Sequence, residues 1–222
     1  MHVDPKDIRH LVVLAHPAHD SFNRSIAGEY CDAVADCGQI AILRDLYAMD
    51  FDPRLRSNER PGIAGFEMSP AIEHELSLIR GCSVITMVYP LWFGMPPAMI
   101  KGYIDRVLGA GFEARDIKRN RTNPLLQGKH FLILSSSAST RPWLEEQGQW
   151  VALHQAFETY LSTIFGFAST DHVHFDAIVP GCNRDYVGQN LHETRVKARE
   201  ICATVLSERH AKKMRELLGH AA

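Results

Sequence analysis

The sequence offers little that would support metal or thiol redox chemistry. Its five cysteines include no CxxC pair, which favours reduced thiols rather than a metal ligand set; they are Cys31, Cys37, Cys82, Cys182 and Cys202. Its 12 histidines form neither HxxxH nor HExxH. His172 and His174 lie one residue apart on a strand-like stretch, which is not a metal-site spacing. We therefore expect no metal site.

The sequence also lacks long apolar runs and an excess of charge of one sign. No segment approaches about 18 uninterrupted apolar residues, and the opening MHVDPKDIRH carries no apolar signal core. Lys and Arg number 24 against 26 Asp and Glu, for a net charge of −2, which gives no attraction to nucleic acid or to an acidic membrane. These absences predict a cytoplasmic protein without a membrane span or a nucleic-acid partner. The 222 residues fit a single domain, residues 1–222.

Neither glycine-rich phosphate motif, GxxxxGK[ST] or GxGxxG, accounts for the first turn of the chain. Residues 11–30 read LVVLAHPAHDSFNRSIAGEY, an apolar strand-like run, a polar turn and an amphipathic helix. Ligands of open α/β sheets sit beyond the carboxyl ends of the strands, where free helix amides favour anions. The candidate residues here are His16, Ser21, Phe22 and Asn23. Ser21 and Asn23 are equally suited to cap the helix, so both roles stay open.

Strand and helix patterns alternate along the rest of the chain. Apolar runs predict strands at Leu11–Ala15, from about Ile40, and at Ser83–Tyr89, Phe131–Leu134 and Val173–Val179. Helical periodicity predicts helices near residues 22–37, 70–81, 97–108, 150–165 and 185–218. Repeated strand–helix order predicts an α/β fold with a doubly wound five-stranded parallel sheet and helices on both faces. The loops after the first, third and fourth strands should then meet at one edge of the sheet.

The second of these loops is stiff and aromatic. Residues 89–101 read YPLWFGMPPAMIK, which places Trp92 and Phe93 directly after a buried strand. Prolines limit the entropy lost on ordering, and the two rings offer flat apolar area for a planar ligand. An apolar plug or a dimer contact is the alternative interpretation of this loop.

Three segments together resemble one family. They read AHPAHDSFNRSIA from Ala15, DLYAMDFDP from Asp45, and YPLWFGMPPAMIKGYIDRVLGAGF from Tyr89. The sequence is similar in these segments to the flavodoxin-like NAD(P)H:quinone oxidoreductases, a group that includes modulators of drug activity and ancillary subunits of potassium efflux systems. The resemblance spans most of the chain and implies a flavodoxin-like α/β fold.

The resemblance also implies a cofactor and a set of contacts. The cofactor would be a noncovalent flavin, and NAD(P)H would be the co-substrate. The DSFN segment favours FAD, with FMN as the alternative. The phosphate end would contact His16, Ser21, Phe22 and Asn23. The ring and ribityl would contact Pro90, Leu91, Trp92 and Phe93, and the third loop would be Ser135, Ser136, Ser137 and Ala138.

The implied reaction is hydride transfer from NAD(P)H through flavin to a quinone or similar electrophile, by a ping-pong mechanism in a homodimer. The serine run replaces the glycines that the family usually has in its third loop. Trp143 stands where animal quinone reductases have a Tyr, and no His follows until His154, so no catalytic acid or base is assigned. Tyr103, Phe112 and Trp143 are candidates for the acceptor site or for ordinary packing. The alternatives are a regulatory partner of a potassium efflux transporter and an electron carrier without nicotinamide turnover.

Overall fold

The predicted five-stranded parallel sheet is present. A computed structural model describes residues 3–119 and 121–219 of the protein. The strands are β1 (Arg9–Leu14), β2 (Ile40–Asp45), β3 (Val84–Pro90), β4 (His130–Ser136) and β5 (Ser169–Phe175). They pair in the order β2-β1-β3-β4-β5, and every pairing is parallel. The order reverses direction between β1 and β3, so the loops after these strands diverge and leave a crevice at the carboxyl edge.

Eight α-helices occur in the described ranges. They are α1 (Phe22–Asp36), α2 (Pro70–Gly81), α3 (Ala98–Tyr103), α4 (Ala114–Lys118), α5 (Arg141–Glu146), α6 (Gln149–Leu153), α7 (Tyr160–Phe165) and α8 (Arg184–Gly219). Wider π-helical turns continue α3 over Ile104–Leu108 and join α6 to α7 over His154–Thr159. The predicted helices near residues 97–108 and 150–165 are therefore present but interrupted. Among the described helices, none combines the length and apolarity that crossing a bilayer requires.

Both faces of the sheet are covered, because alternate residues of the central strands point to opposite sides. One apolar cluster joins Leu11, Val13, Ile85 and Met87 to the inner faces of α2, α3 and the α6–α7 region. A second cluster joins the intervening strand residues to α1 and α8. Full burial on both faces explains why β1, β3 and β4 read as continuous apolar runs.

The predicted bounds of the last strand were wrong. The apolar residues between Val173 and Val179 suggested a strand there, but β5 is Ser169–Phe175. This edge strand carries polar residues because its side chains find partners inside the protein. Thr170, for example, donates to Ser162 at 2.9 Å. β4 likewise extends past Leu134 through Ser136.

The DLYAMDFDP segment has a structural role. The Asp45 carboxylate pairs with Arg24 of α1 and accepts the backbone N–H groups of Tyr47 and Ala48, both at 3.2 Å. Pro53 lies so close to α3 that a Cβ added at Gly102 would sit 2.3 Å from it. The segment therefore fixes α3, and with it the aromatic loop before α3.

Helix α3 and the π-helical turn that continues it carry one exposed and one buried ion pair. Lys101 and Asp105 form an exposed ion pair, with a nitrogen–oxygen distance of 2.6 Å. The opposite side of the helix carries Arg106, whose guanidinium donates to buried Glu59 at 2.6 and 2.8 Å. This buried pair holds the irregular 53–66 segment against the core.

Candidate active site

The turn after β1 has the geometry of a helix cap. Ser21 precedes α1 with extended backbone, and its Oγ accepts the Arg24 N–H at 3.2 Å. The Phe22 ring packs edge-on against Phe175, at 5.8 Å between centroids, so it belongs to the core. Ser21 therefore caps the helix. The Phe22 ring points into the core, and only the Phe22 backbone amide is oriented toward the crevice at the start of the helix.

Asn23 is the residue that capping does not explain. It is 3% exposed, and its Oδ1 accepts the Ser136 hydroxyl at 3.0 Å. Its amide nitrogen is buried and has no hydrogen-bond partner. An unsatisfied buried donor costs about 1 to 3 kcal/mol, so its presence beside a helix N-terminus indicates a partner supplied from outside the chain. The hydrogen bond to Ser136 also ties the first loop to the third.

His16 joins the first loop to the second. Its Nδ1 accepts the Ala18 N–H at 3.0 Å, and its ring meets the edge of Trp92 at 6.0 Å between centroids. Burial lowers the pKa of His16, although the Ala18 contact and Asp20 act in the opposite direction. A neutral ring that accepts at Nδ1 carries its proton on Nε2, which makes His16 a donor toward the crevice.

The second loop closes in a tight turn. Trp92 and Met95 exchange backbone hydrogen bonds at 3.0 and 3.1 Å, and Phe93 and Gly94 between them have φ values of +53° and +76°. Positive φ at both central positions is the pattern of a two-residue turn that favours Asn-Gly. An aromatic residue there is strained, and Phe93 is fully exposed. Strained, exposed aromatic residues of this kind are typical of binding sites.

We expect Phe93→Asn to increase the free energy of unfolding by about 1 kcal/mol, because Asn adopts positive φ more readily. Urea unfolding of the two proteins measures the difference. Phe22→Leu, at an aromatic position with ordinary helical backbone, is the control and should destabilise. A loss of stability in Phe93→Asn would show that the Phe93 ring has packing partners within the monomer.

The third loop differs from the prediction in where its side chains point. Ser135 and Ser136 are the last residues of β4, so only Ser137 and Ala138 belong to the loop itself. The three serines are at most 6% exposed and make hydrogen bonds inward. Ser136 binds Asn23, while the other two contact histidines of β5. Contacts to a ligand are therefore left to the backbone, to exposed Ala138 and to the small accessible part of Ser137.

The second and third loops are joined through the backbone. Pro90 ends β3 opposite Ser136, and the Leu91 N–H donates to the Ser136 carbonyl at 2.7 Å. Leu91 is buried, whereas 40% of Trp92 is exposed. The twelve predicted residues therefore lie along one edge of the sheet, but only some of them present side chains there.

Of the three candidates for the acceptor site, two are packed inside the protein and one is exposed. Tyr103 is fully buried and donates to Glu75 at 2.9 Å, so it is a core residue. Phe112 packs on Phe165 at 6.1 Å between centroids. Trp143, in α5, is half exposed and remains available.

Sequence reasoning missed a group of side chains beneath the third loop. His172 and His174 contact Ser135, and Glu158 of the π-helical turn contacts His172. The signal was the two-residue spacing of the histidines, which places both rings on one face of a strand. Within the described ranges, no cluster of ligands suited to a metal ion is found.

A cleft of about 640 Å³ lies at the opposite, amino-terminal edge of the sheet. Arg80, Lys129, Arg209 and Glu208 are among its lining residues. The cleft lies at the other end of the strands from the three loops, since its residues 81–83 and 128–129 directly precede β3 and β4. It is therefore separate from the candidate site.

Comparisons with known proteins agree with this architecture. A family described as having a flavodoxin-like fold matches residues 8–200. An uncharacterized NAD(P)H oxidoreductase of Haemophilus influenzae is 31% identical over 170 residues, which cover 76% of this chain and 82% of that protein. The human ribosyldihydronicotinamide dehydrogenase [quinone] is 30% identical over 155 residues, which cover 62% of this chain and 67% of that protein.

Solved structures show the same fold. An NAD(P)H:quinone oxidoreductase from Methanothermobacter marburgensis has a TM-score of 0.75 at 23% identity, covering 87% of this chain and 98% of that one. An FMN-dependent NADH-azoreductase from Bacillus anthracis, in complex with FMN, has a TM-score of 0.68 at 14% identity, covering 87% and 99%. With the matched segments and the sheet order, these findings show that the chain is an enzyme of the flavodoxin-like NAD(P)H:quinone oxidoreductase family.

Proposed function

We propose that the protein binds a flavin noncovalently at the carboxyl edge of the sheet and transfers hydride from NAD(P)H to a quinone or a similar electrophile. The observation that carries this proposal is the unsatisfied amide nitrogen of Asn23, held at the start of α1 by Ser136. The names of the Haemophilus and human relatives support the reductant and the acceptor class.

The residues present fit a flavin. The phosphate end would meet the first amides of α1, Asn23 and the Nε2 of His16, where the helix dipole favours an anion. The planar ring would lie against Trp92 and Phe93, whose apolar faces are exposed. The backbone of residues 137 and 138 would border it from the third loop. FAD is our preference and FMN the alternative; the Bacillus anthracis structure contains FMN.

The flavin would supply the hydride chemistry itself. The chain's contribution is to hold the ring and the substrates in line and to exclude water from the transfer. The stiff turn at Phe93 and Gly94, fixed by the Gln149 amide at 3.2 Å from the Gly94 carbonyl, provides a preorganised wall. Because one crevice would serve both NAD(P)H and the acceptor, we expect ping-pong kinetics.

We also propose a cytoplasmic homodimer. Exposed apolar side chains at Trp92, Phe93, Trp143, Val151 and Tyr160 are candidates for the contact. Sedimentation of the purified protein measures the oligomeric state, and cell fractionation measures the location.

Two measurements test the reaction. Acid release and chromatography of the bound cofactor identify it as FAD, FMN or neither. Anaerobic addition of NADH or NADPH to the holoprotein should then bleach the flavin. A protein that binds neither flavin would contradict the proposal entirely. A flavoprotein that neither nicotinamide bleaches would be an electron carrier, and capture of a potassium efflux transporter by such a protein would favour a regulatory role.

The double substitution Ser21→Ala, Asn23→Ala should raise the flavin dissociation constant about 10-fold or more, because two hydrogen-bonding groups at the phosphate end are lost. Fluorescence titration of apoprotein with FAD and FMN measures this constant. Ser25→Ala, an exposed change one turn further along α1, is the control and should leave it unchanged. Unchanged flavin affinity in the double variant would remove the phosphate site from the proposal.

A further inference from the structure

A continuous line of hydrogen bonds runs from the surface to the third loop. We call its members the imidazole chain: Ser137, His174, Ser135, His172, Glu158 and His154. Its inner half joins Ser137 to His174 Nε2 at 3.0 Å and His174 Nδ1 to Ser135 at 2.7 Å. Its outer half joins Ser135 to His172 Nε2, His172 Nδ1 to Glu158, and Glu158 to His154 Nδ1, each at 2.6 Å.

The two ends of the imidazole chain differ sharply in exposure. The side chains of His172 and Glu158 are 4% and 2% exposed, whereas that of His154 is 56% exposed. The Trp150 ring stacks over His172 at 5.2 Å between centroids and covers the buried part. His154 and Glu158 lie four residues apart on the π-helical turn, whose wider spacing is often found at functional sites. The imidazole chain therefore meets solvent at one end and the candidate active site at the other.

Counting hydrogens fixes the direction of each bond, since a hydroxyl donates only once. Ser137 donates to the Ser139 carbonyl at 2.7 Å, so His174 Nε2–H must donate to Ser137. The other nitrogen of a neutral His174 then accepts from Ser135. Ser135 in turn accepts from His172.

The same count determines the charge at the buried end of the imidazole chain. His172 donates to Ser135 through Nε2 and to the Glu158 carboxylate through Nδ1. It therefore carries both ring protons and is an imidazolium. One exchangeable proton is thus stored beneath the third loop.

The surrounding charges agree with this count. Burial, followed by the charge of His172, lowers the pKa of His174 to about 4, with Arg141 acting in the same direction and Asp176 and Glu158 against it. Burial acts to raise the pKa of Glu158, but the contacts with His172 and His154 outweigh it and the net pKa is lowered. Tyr89 also faces this carboxylate, and burial raises its pKa well above the usual value.

We propose that the imidazole chain delivers a proton from solvent to the acceptor that is reduced at the carboxyl edge. This inference rests on the proposed function and adds to it. Hydride addition to a quinone leaves a phenolate oxygen that must take up one proton. The His172 Nε2 proton would pass to Ser135, the Ser135 proton to His174 and the Nε2 proton of His174 to Ser137. The Ser137 hydroxyl would turn from the Ser139 carbonyl and give its own proton to the phenolate.

The transfer balances with one proton. The quinol gains it, His172 becomes neutral, and every other member keeps its proton number. The imidazole chain is reset when the His172 and His174 rings turn over and the hydroxyls rotate back. A proton from solvent then enters at His154, passes through the Glu158 carboxylate and protonates the His172 nitrogen that now faces Glu158, which restores the charge on His172. Hydride transfer from the nicotinamide needs no proton, so the imidazole chain should affect only the second half-reaction.

The kinetic test uses flavin-loaded Ser135→Ala, which interrupts the imidazole chain at its centre. Bleaching by NADPH should stay within about twofold of the wild type, whereas reoxidation by 1,4-benzoquinone should slow about 10-fold or more at pH 8. Added imidazole should restore part of the lost rate. Ser169→Ala removes a hydroxyl that binds His130 at 2.8 Å at the opposite end of the same two strands, and it should change neither rate.

A second readout does not depend on turnover. Nitrogen-15 NMR of the full-length protein at pH 7.5 should show two protons on His172, a signal assigned by its loss in His172→Gln. Glu158→Gln should abolish the doubly protonated form, and Ser169→Ala should retain it. A neutral His172 in the wild type would overturn the proposal.

The outcomes separate the relay from the proposed function. If NADPH bleaches the wild type but Ser135→Ala reacts with benzoquinone at an unchanged rate, the relay is wrong and the proposed function stands. Equal slowing of both half-reactions in Ser135→Ala also overturns the relay, because it indicates a general structural effect. If the wild type is not bleached, the proposed function is wrong and the relay fails with it.

Discussion

Arg106→Met is expected to lower the free energy of unfolding by about 3 to 5 kcal/mol, as is typical when one partner of a buried ion pair is removed. Arg106 and Glu59 are each 6% exposed, and two hydrogen bonds join them. The guanidinium also donates to the Asp52 carbonyl and lies over the Phe51 ring at 5.5 Å from its centroid. The substitution leaves the Glu59 carboxylate buried without its counter-ion. Urea unfolding at pH 7.5 measures the loss.

The neighbouring exposed pair provides the matched control. Lys101→Met removes an ion pair from the same helix, but that pair is 61% and 38% exposed, so the expected cost is below about 1 kcal/mol. Glu59→Leu, Arg106→Met removes both buried charges and should recover most of the stability lost in Arg106→Met. Equal losses in Lys101→Met and Arg106→Met would show that Glu59 is hydrated rather than buried.

Most of the central architecture could be predicted from the sequence. β1, β3 and β4 are buried on both faces, and the middle of each strand is a run of apolar or β-branched residues, as such burial favours. Helix α1 ends at Asp36, and Gly38, at φ +74°, follows two residues later as the glycine that commonly stops a helix. The parallel direction of the strands then follows from the alternation of strands and helices, because a helix that crosses over the sheet returns the chain to the same end before the next strand begins.

The edge of the sheet and the irregular segments could not be predicted. β5 is polar because Ser169, His172 and His174 have partners on other elements, and no local pattern reveals a distant partner. Glu59 lies in a polar stretch of the kind typical of a solvated surface, yet it is buried against Arg106, 47 residues away. Long-range polar pairs of this kind leave no periodicity.

The position of the candidate site could be predicted from the sequence, but most of its side-chain contacts could not. Pattern and resemblance placed His16, Asn23 and Trp92 near one another, and their loops do meet. The serine run was expected to face the cofactor. In a strand, however, side-chain direction follows the pleat, and the pleat turns Ser135 toward His172 and His174. No local pattern in the sequence reveals that Ser135 connects this edge of the sheet to the buried side chains of His172 and Glu158.

Acid should destabilise the protein before its carboxylates titrate. Burial lowers the pKa of His10 to about 4, assisted by the charge of His130 and opposed by the Gln39 hydrogen bond, and His174 has a pKa of about 4 as well. Both pKa values lie below the ordinary 6.5 of the unfolded chain. The stability that the two neutral rings confer is therefore present above pH 6.5 and lost as the pH falls toward 4.

Between pH 6 and 4.5 the two histidines should together cost about 3 kcal/mol of unfolding free energy. Glu59 and Glu158 also have lowered pKa values, but their contribution falls away only near and below the ordinary glutamate value of 4.5. Urea unfolding across this pH range measures the loss. His10→Gln should halve the slope, since it retains a hydrogen-bonding group toward Tyr30 and Gln39 but cannot take up a proton.

Exposed His74 supplies the control for this slope, and His74→Gln should leave it unchanged. If His10→Gln does not fold, NMR titration of the wild-type rings gives the same answer, because a buried neutral His10 keeps its signal unchanged down to about pH 5. A flat stability profile between pH 6 and 4.5 would mean that the pKa values of the two rings are not lowered in the folded protein, because only a pKa difference between the folded and unfolded states makes stability depend on pH.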